Sequence, residues 1–295
     1  MTTPLRYRIT HVTSYRYSSS VAVCHNQLRM LPRHFAQVQL HDCKVAITPV
    51  PTWRAQHTDY FKNEVLTFAI ESLHKQLKVE VVSEVTVAPP PGLVEQPIAW
   101  QAVKDELADS SDAATLAAKE FCYESPMIPV RPAFAEYAEP SFAANADFID
   151  AVVDLTKRVN ADFRYDTSAT NVDTSTADAF ALRAGVCQDF AHVQIACLRS
   201  LGFAARYVSG YLRTIPKAGQ ERLIGADESH AWISVYGGAE LGWIDCDPTN
   251  ACLVKADHVP ICIGRDYRDV SPMRGVAIGG GQTSLSVSVD VALLS

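Results

Sequence analysis

Several things are missing from this chain of 295 residues, and each absence narrows what it can be. No run approaches the ~18 consecutive apolar residues that a membrane-spanning helix needs. The start, Met1-Thr-Thr-Pro-Leu-Arg-Tyr-Arg-Ile-Thr10, has no apolar stretch behind a positive head. No secretory leader is visible there, and the expected compartment is the cytoplasm. Basic residues are outnumbered, 26 Lys and Arg against 33 Asp and Glu, for a net charge of -7. Such a chain has no cationic excess to displace counterions from a nucleic-acid backbone, so neither nucleic acid nor a membrane is expected as partner. The eight cysteines (Cys24, Cys43, Cys122, Cys187, Cys197, Cys246, Cys252, Cys262) contain no Cys-x-x-Cys pair, which favours free thiols over a disulfide framework. A zinc site would have only Cys187, His192 and Cys197, at spacings of five, with no fourth ligand nearby. No metal and no cofactor are expected.

What is present is the composition of an ordinary globular protein, 48% hydrophobic and 20% charged. The length suits two domains better than one. From Leu5 to about Val87 the pattern has period two: Leu5, Tyr7, Ile9 and His11 alternate with polar residues, and Leu77, Val79, Val81, Val85 and Val87 hold odd positions. Alternation over such lengths predicts half-buried strands with one wet face. Asp59-Tyr-Phe-Lys-Asn63 sits between them as a turn. Ala88-Pro-Pro-Pro-Gly92 cannot continue a strand, because proline removes ladder donors. Residues 1–90 therefore read as an antiparallel β domain and 91–295 as a second domain.

Past the prolines the period changes. Phe148, Val152, Leu155 and Val159 predict an amphipathic helix, and Ala177 to Arg183 a second one after a Ser175-Thr176 cap. A third runs from about Cys187 to Leu201, stopped by Gly202. Strands follow at Ala204 to Leu212, His230 to Tyr236 and Gly242 to Asp247. Helices first and strands afterwards make an α+β domain rather than alternating βαβ units. The stretch between Asp266 and Gly281 reads as loop. The tail, with Leu285, Val287, Val289, Val291 and Leu293 at alternate positions, reads as one more strand, its sheet undetermined.

Three places carry chemistry. In Gly185-Val-Cys-Gln-Asp189 a glycine turn delivers Cys187 to the first turn of a helix, where unpaired N–H groups and the helix dipole favour a thiolate. In His230-Ala-Trp-Ile-Ser-Val-Tyr236 a histidine opens a strand, with Trp232 on its own face. In Gly242-Trp-Ile-Asp-Cys-Asp-Pro-Thr-Asn250 a strand ends at Asp247-Pro248, where a carboxylate can orient an imidazole. Each alone has a bland reading: a buried cysteine, a satisfied histidine, an Asp-Pro turn. His192, one turn beyond Cys187, is the second choice of base. The other histidines, His258 among them, read as structural or exposed. Asp189 reads as a helix cap, Arg206 as a structural ion-pair partner before a substrate clamp, and Trp232 and Trp243 equally as cleft walls or core.

Taken together, in that order, these motifs resemble the transglutaminase-like core, a branch of the papain-like fold. Arg199-Ser-Leu-Gly-Phe-Ala-Ala-Arg-Tyr-Val-Ser-Gly-Tyr211 is similar to the link between cysteine helix and first core strand in bacterial members. Asn26-Gln-Leu-Arg-Met-Leu-Pro-Arg33 and Asp59…Asn63 resemble the β domain that precedes this core in a bacterial subgroup, with Lys62 standing where a glycine is expected. The resemblance implies a helix-borne cysteine packed on an antiparallel sheet and a Cys187–His230–Asp247 catalytic triad. It implies acyl transfer from peptide or isopeptide carboxamides, with a peptide or protein as substrate. Cross-linking of protein glutamines is the alternative reaction, and a non-catalytic peptide-binding or assembly module the alternative of another class. The calcium-dependent animal enzymes need acidic metal sites, and no Asp-x-Asp-x-Asp-Gly run occurs here.

Overall fold

Alternating apolar residues build the first sheet, and the computed structural model, which describes residues 3–90, 97–214 and 229–294, shows how far each strand runs. Strand β1 (Leu5–Leu31) is the longest, and β2 (Val38–Thr48), β3 (Trp53–Thr58), β4 (Glu64–Ile70) and β5 (His74–Val87) join it in the order β2-β5-β1-β4-β3. All pairings are antiparallel. In β1 the buried positions are odd at Tyr7, Ile9, His11 and Thr13 but even at Cys24, Asn26, Leu28 and Met30. The change of phase follows from the irregular register against β5 between Arg16 and Val21, which turns the strand over. The proline run lies just beyond β5, and its Pro91 and Gly92 are outside the described residues.

The Asp59–Asn63 turn holds although Lys62 occupies the expected glycine position. Lys62 takes a left-handed φ of 67°. The Asp59 carboxylate accepts the backbone N–H groups of Phe61 and Asn63 at 3.0 and 2.9 Å, which holds the turn closed.

Next come helices α1 (Trp100–Asp109), α2 (Ala113–Lys119), α3 (Pro132–Ala138) and α4 (Phe148–Asp162). Asp147 caps α4 by accepting from the N–H groups of Ile149 and Asp150. Two-residue strands β6 (Arg164–Tyr165) and β7 (Ala184–Gly185) pair in parallel around α5 (Thr176–Leu182) and lead into α6 (Cys187–Ser200). Helix α6 is buried on every side from Gln188 to Arg199, with α3, α4 and α5 against one flank and the second sheet against the other. That sheet has the order β11-β10-β9-β8-β12, from β8 (Ala205–Leu212), β9 (Ser229–Tyr236), β10 (Trp243–Asp247), β11 (Cys252–Leu253) and β12 (His258–Gly264), with the one-turn helix α7 (Gly238–Leu241) between β9 and β10. Its pairings are antiparallel too. The result is the mixed architecture expected: an antiparallel sheet domain, then a core with a cysteine helix packed on an antiparallel sheet.

The stretch after Asp266 is not loop. It forms α8 (Tyr267–Val270) and then β13 (Met273–Gly279), which pairs with β1 from Val21 to Leu28. Every β13 residue after Met273 is exposed, so the backbone ladder holds the strand and no apolar alternation marks it in sequence. The final strand, β14 (Thr283–Leu294), lies on β1 from Arg6 to Tyr17. The sheet left open for the tail is thus the first one.

The two sheets touch through specific polar contacts. Asn63 is fully buried and exchanges two hydrogen bonds with the backbone of Ile263 in β12. The ring of His11 and the hydroxyl of Tyr211 in β8 lie 2.8 Å apart. No helix among the described residues is long and apolar enough to cross a membrane.

Candidate active site

Cys187 owes its place to the glycine before it. The Asp189 carboxylate folds back to accept the N–H of Val186 at 2.8 Å and the hydroxyl of Thr170 at 2.7 Å. A Cβ on Gly185 would collide with that carboxylate, so only glycine lets the chain turn into α6 here. Asp189 is therefore the cap of the cysteine helix, and burial pushes its carboxyl upward. At the far end of α6 the buried Arg199 guanidinium donates to the carbonyls of Ala205, Tyr123 and Arg265, placing a cation at the helix C-terminus. The helix is fixed at both ends.

Cys187 and His230 line one cleft of about 330 Å³, with Thr170, Gln188, Tyr207 and Tyr267 among its walls. A larger cavity of about 630 Å³ lies in the first sheet and is also lined by a histidine and a cysteine, His34 and Cys43. Burial pushes the Cys43 thiol up to about 11, so the carboxylate-held His230 beside Cys187 rather than volume marks the site. His230, near the start of β9, has its Nε2 2.7 Å from Oδ2 of Asp247 at the end of β10. That leaves Nδ1 as the nitrogen available to the thiol. Burial works against a charge on His230, but its hydrogen bond to Asp247 and the neighbouring Cys187 outweigh it and push the ring up to about 10.

Asp247 is fully buried and saturated with donors. Its Oδ1 accepts the N–H groups of Thr249 and Asn250 at 2.9 and 3.2 Å, from the turn that Pro248 forces. Its Oδ2 accepts the Asn250 side chain at 2.7 Å and, besides His230, lies 3.0 Å from Nε2 of His258. Burial opposes the charge, but the His230 and His258 contacts hold the carboxyl far below its usual range.

The remaining candidates fall outside this cluster. Nε2 of His192 accepts the N–H of Tyr267 at 3.2 Å, and burial pushes the ring down to about 4, so it is neither turned toward Cys187 nor a base at neutral pH. Steps of five along a helix turn successive side chains about 140° apart. Cys187, His192 and Cys197 accordingly diverge, and the zinc set is not assembled. Asp245 accepts Trp232 Nε1 at 3.2 Å instead of contacting His230. Trp232 is fully buried, and Trp243 stacks under the Arg206 guanidinium at 3.8 Å where the two line a separate cavity of about 490 Å³, so neither tryptophan nor Arg206 walls the Cys187 cleft. All eight cysteines are free thiols.

Sequence reasoning missed His258 and Asn250. His258 opens the apolar run of β12, eleven positions after Asp247, and only the fold brings the two together. Asn250 was visible as the last residue of the Pro-Thr-Asn turn, without a partner to give it meaning. His230, Asp247 and His258 also converge as metal ligands would. Two donors sharing one tetrahedral zinc at ~2.1 Å stand roughly 3.4 Å apart. The separations of 2.7 and 3.0 Å are those of hydrogen bonds.

The comparisons with known proteins bear on this arrangement. Residues 7–86 match the bacterial transglutaminase-like N-terminal region, and residues 135–248 match the transglutaminase-like superfamily. An uncharacterized protein of Mycobacterium tuberculosis is 37% identical over 296 residues, covering 97% of this chain and 92% of its own. This chain belongs to the transglutaminase-like superfamily. A Mycobacterium leprae member, also uncharacterized, is 31% identical over 98% of this chain and 99% of its own. A solved structure, that of a candidate cysteine protease from Cytophaga hutchinsonii, superposes with a TM-score of 0.77 at 20% identity, covering all of this chain and 92% of that one. The fold is therefore that of the superfamily's thiol enzymes, and the Cys187–His230 cleft lies within its core.

Proposed function

We propose that this protein is a thiol-dependent acyl-transfer enzyme, a cysteine peptidase or amidohydrolase acting on peptide or isopeptide carboxamide bonds. The observation that carries the reading is the 2.7 Å contact between His230 and a fully buried Asp247, with the helix-start thiol of Cys187 in the same cleft. Cys187 is the nucleophile: its sulfur attacks the carbonyl carbon and the carbonyl π pair moves to oxygen. The N–H of Cys187 at the head of α6 is one donor to that oxyanion. As the tetrahedral intermediate collapses, the C–N bond breaks and the leaving amine takes the proton held by His230. Water then attacks the thioester, gives its proton to His230, and the thiolate leaves. Asp247 holds the ring so that Nδ1 faces the sulfur, and it supports the imidazolium charge.

The test is hydrolysis of unfolded casein and of isopeptide-linked peptides by the parent and by Cys187→Ala. Release of new amines by the parent alone supports the reading. Incorporation of a labelled amine into glutamine donors without hydrolysis would make the protein a cross-linking transglutaminase instead. Peptide retention with neither reaction would make it a binding module.

A further inference from the structure

We infer that His258 is a positioning residue for the Cys187–His230–Asp247 set, acting on His230 through the carboxylate they share. The inference rests on the acyl-transfer reading for its consequence, though its geometry stands apart from it.

His258 is buried, 4% exposed, at the first position of β12. Its Nδ1 lies 3.4 Å from the backbone N–H of Lys255, which points at it. That contact makes Nδ1 the acceptor and Nε2 the protonated nitrogen, the one 3.0 Å from Oδ2 of Asp247. His230 reaches the same oxygen from the other side, and the two rings lie 6.1 Å apart. Trp232 meets the His258 ring edge-on at 5.3 Å, and its own N–H is bound to Asp245, so the ring is held against rotation. A packing histidine needs no such double engagement on a carboxylate that already has four other donors. The charged and titratable groups around this oxygen, among the described residues, are His230 from β9, Asp247 and Cys246 from β10, Cys252 from β11, Lys255 before β12, His258 from β12 and, beyond the His230 ring, Cys187 from α6.

The physical consequence has a definite sign. A neutral N–H donor on Oδ2 takes a share of the carboxylate's charge and points its positive end toward His230. Both effects weaken the hold of Asp247 on the imidazolium. Removing the donor should therefore make His230 more basic, while a purely space-filling ring would leave it unmoved.

The experiment is NMR titration of the His230 ring in ¹⁵N-histidine-labelled protein, alongside the pH profile of peptide hydrolysis. His258→Leu and His258→Phe remove the donor, and Phe keeps a ring against Trp232. His258→Gln replaces Nε2–H with an amide N–H of similar reach. The expected result is an upward shift of the His230 midpoint by about half a unit or more in Leu and Phe, a roughly threefold change in its protonation equilibrium, reversed for the most part in Gln. The basic limb of hydrolysis should move with it. Melting temperatures that fall while the His230 midpoint stays at the parent value overturn the inference and leave a structural residue. A shift in midpoint with no hydrolysis in the parent upholds the coupling and sinks the acyl-transfer reading instead.

Discussion

Asn63, in the first sheet's turn, donates to the carbonyl of Ile263 at 2.8 Å and accepts its N–H at 2.9 Å. One side-chain amide thus completes a strand ladder across the two sheets, on the strand that begins with His258. Asn63→Ala should cost ~2–4 kcal/mol, because it leaves both a buried N–H and a buried C=O without partners. Denaturant unfolding checks this. A loss under ~1 kcal/mol would mean that water replaces the amide.

Lys62 lies next to that asparagine in the left-handed region, where a Cβ is strained. Lys62→Gly should raise stability by about 0.5–1 kcal/mol, since the turn's hydrogen bonds involve backbone and Asp59 rather than the lysine side chain. A lowered melting temperature would show that the lysine side chain makes a contact worth more than the strain.

Asp247 and Asp245 are two positions apart on one strand, yet only Asp247 meets His230. Asp247→Asn should lower kcat by roughly two orders of magnitude or more through loss of ring orientation and charge support. Asp245→Asn should leave kcat within a few-fold, with its cost appearing in stability, because it weakens the acceptor for Trp232 and removes the charge near Arg206. The reverse pattern in steady-state rates would contradict the assignment.

The pH dependence of stability has a determined direction. His230 is pushed from 6.5 up to about 10, so its contribution is complete below about 6.5 and lost as pH rises through about 10. Asp247 is depressed, so its contribution is complete above about 3.8 and lost only as pH falls well below that. The melting-temperature gap between parent and His230→Ala should be widest near pH 5–6 and close toward pH 10. A gap that widens with rising pH would contradict the charged pairing.

Much of this was legible in sequence for a physical reason: the cysteine helix, the histidine strand and the aspartate strand are apolar-rich segments that stop at a glycine or proline, which the sequence records. Where burial gave no pattern, sequence was silent. The β13 strand is exposed after Met273, and β1 changes its buried parity after Arg16, so alternation describes only its first half. His258 read only as a structural or exposed histidine, because its partner Asp247 lies on β10, which β9 and β8 separate from β12 in the sheet.

The central claim, a nucleophilic thiol at position 187, is tested most directly by mapping iodoacetamide alkylation at near-neutral pH by mass spectrometry. Burial raises the thiols of Cys43 and Cys122 to about 11 and that of Cys262 to about 12, and it raises Cys24, Cys197, Cys246 and Cys252 as well. Cys187 should therefore be modified first and fastest, slowed by His230→Ala, and Cys187→Ala should unfold within about 1 kcal/mol of the parent. Uniform or absent labelling across the eight cysteines, with no effect of His230→Ala, would contradict the account.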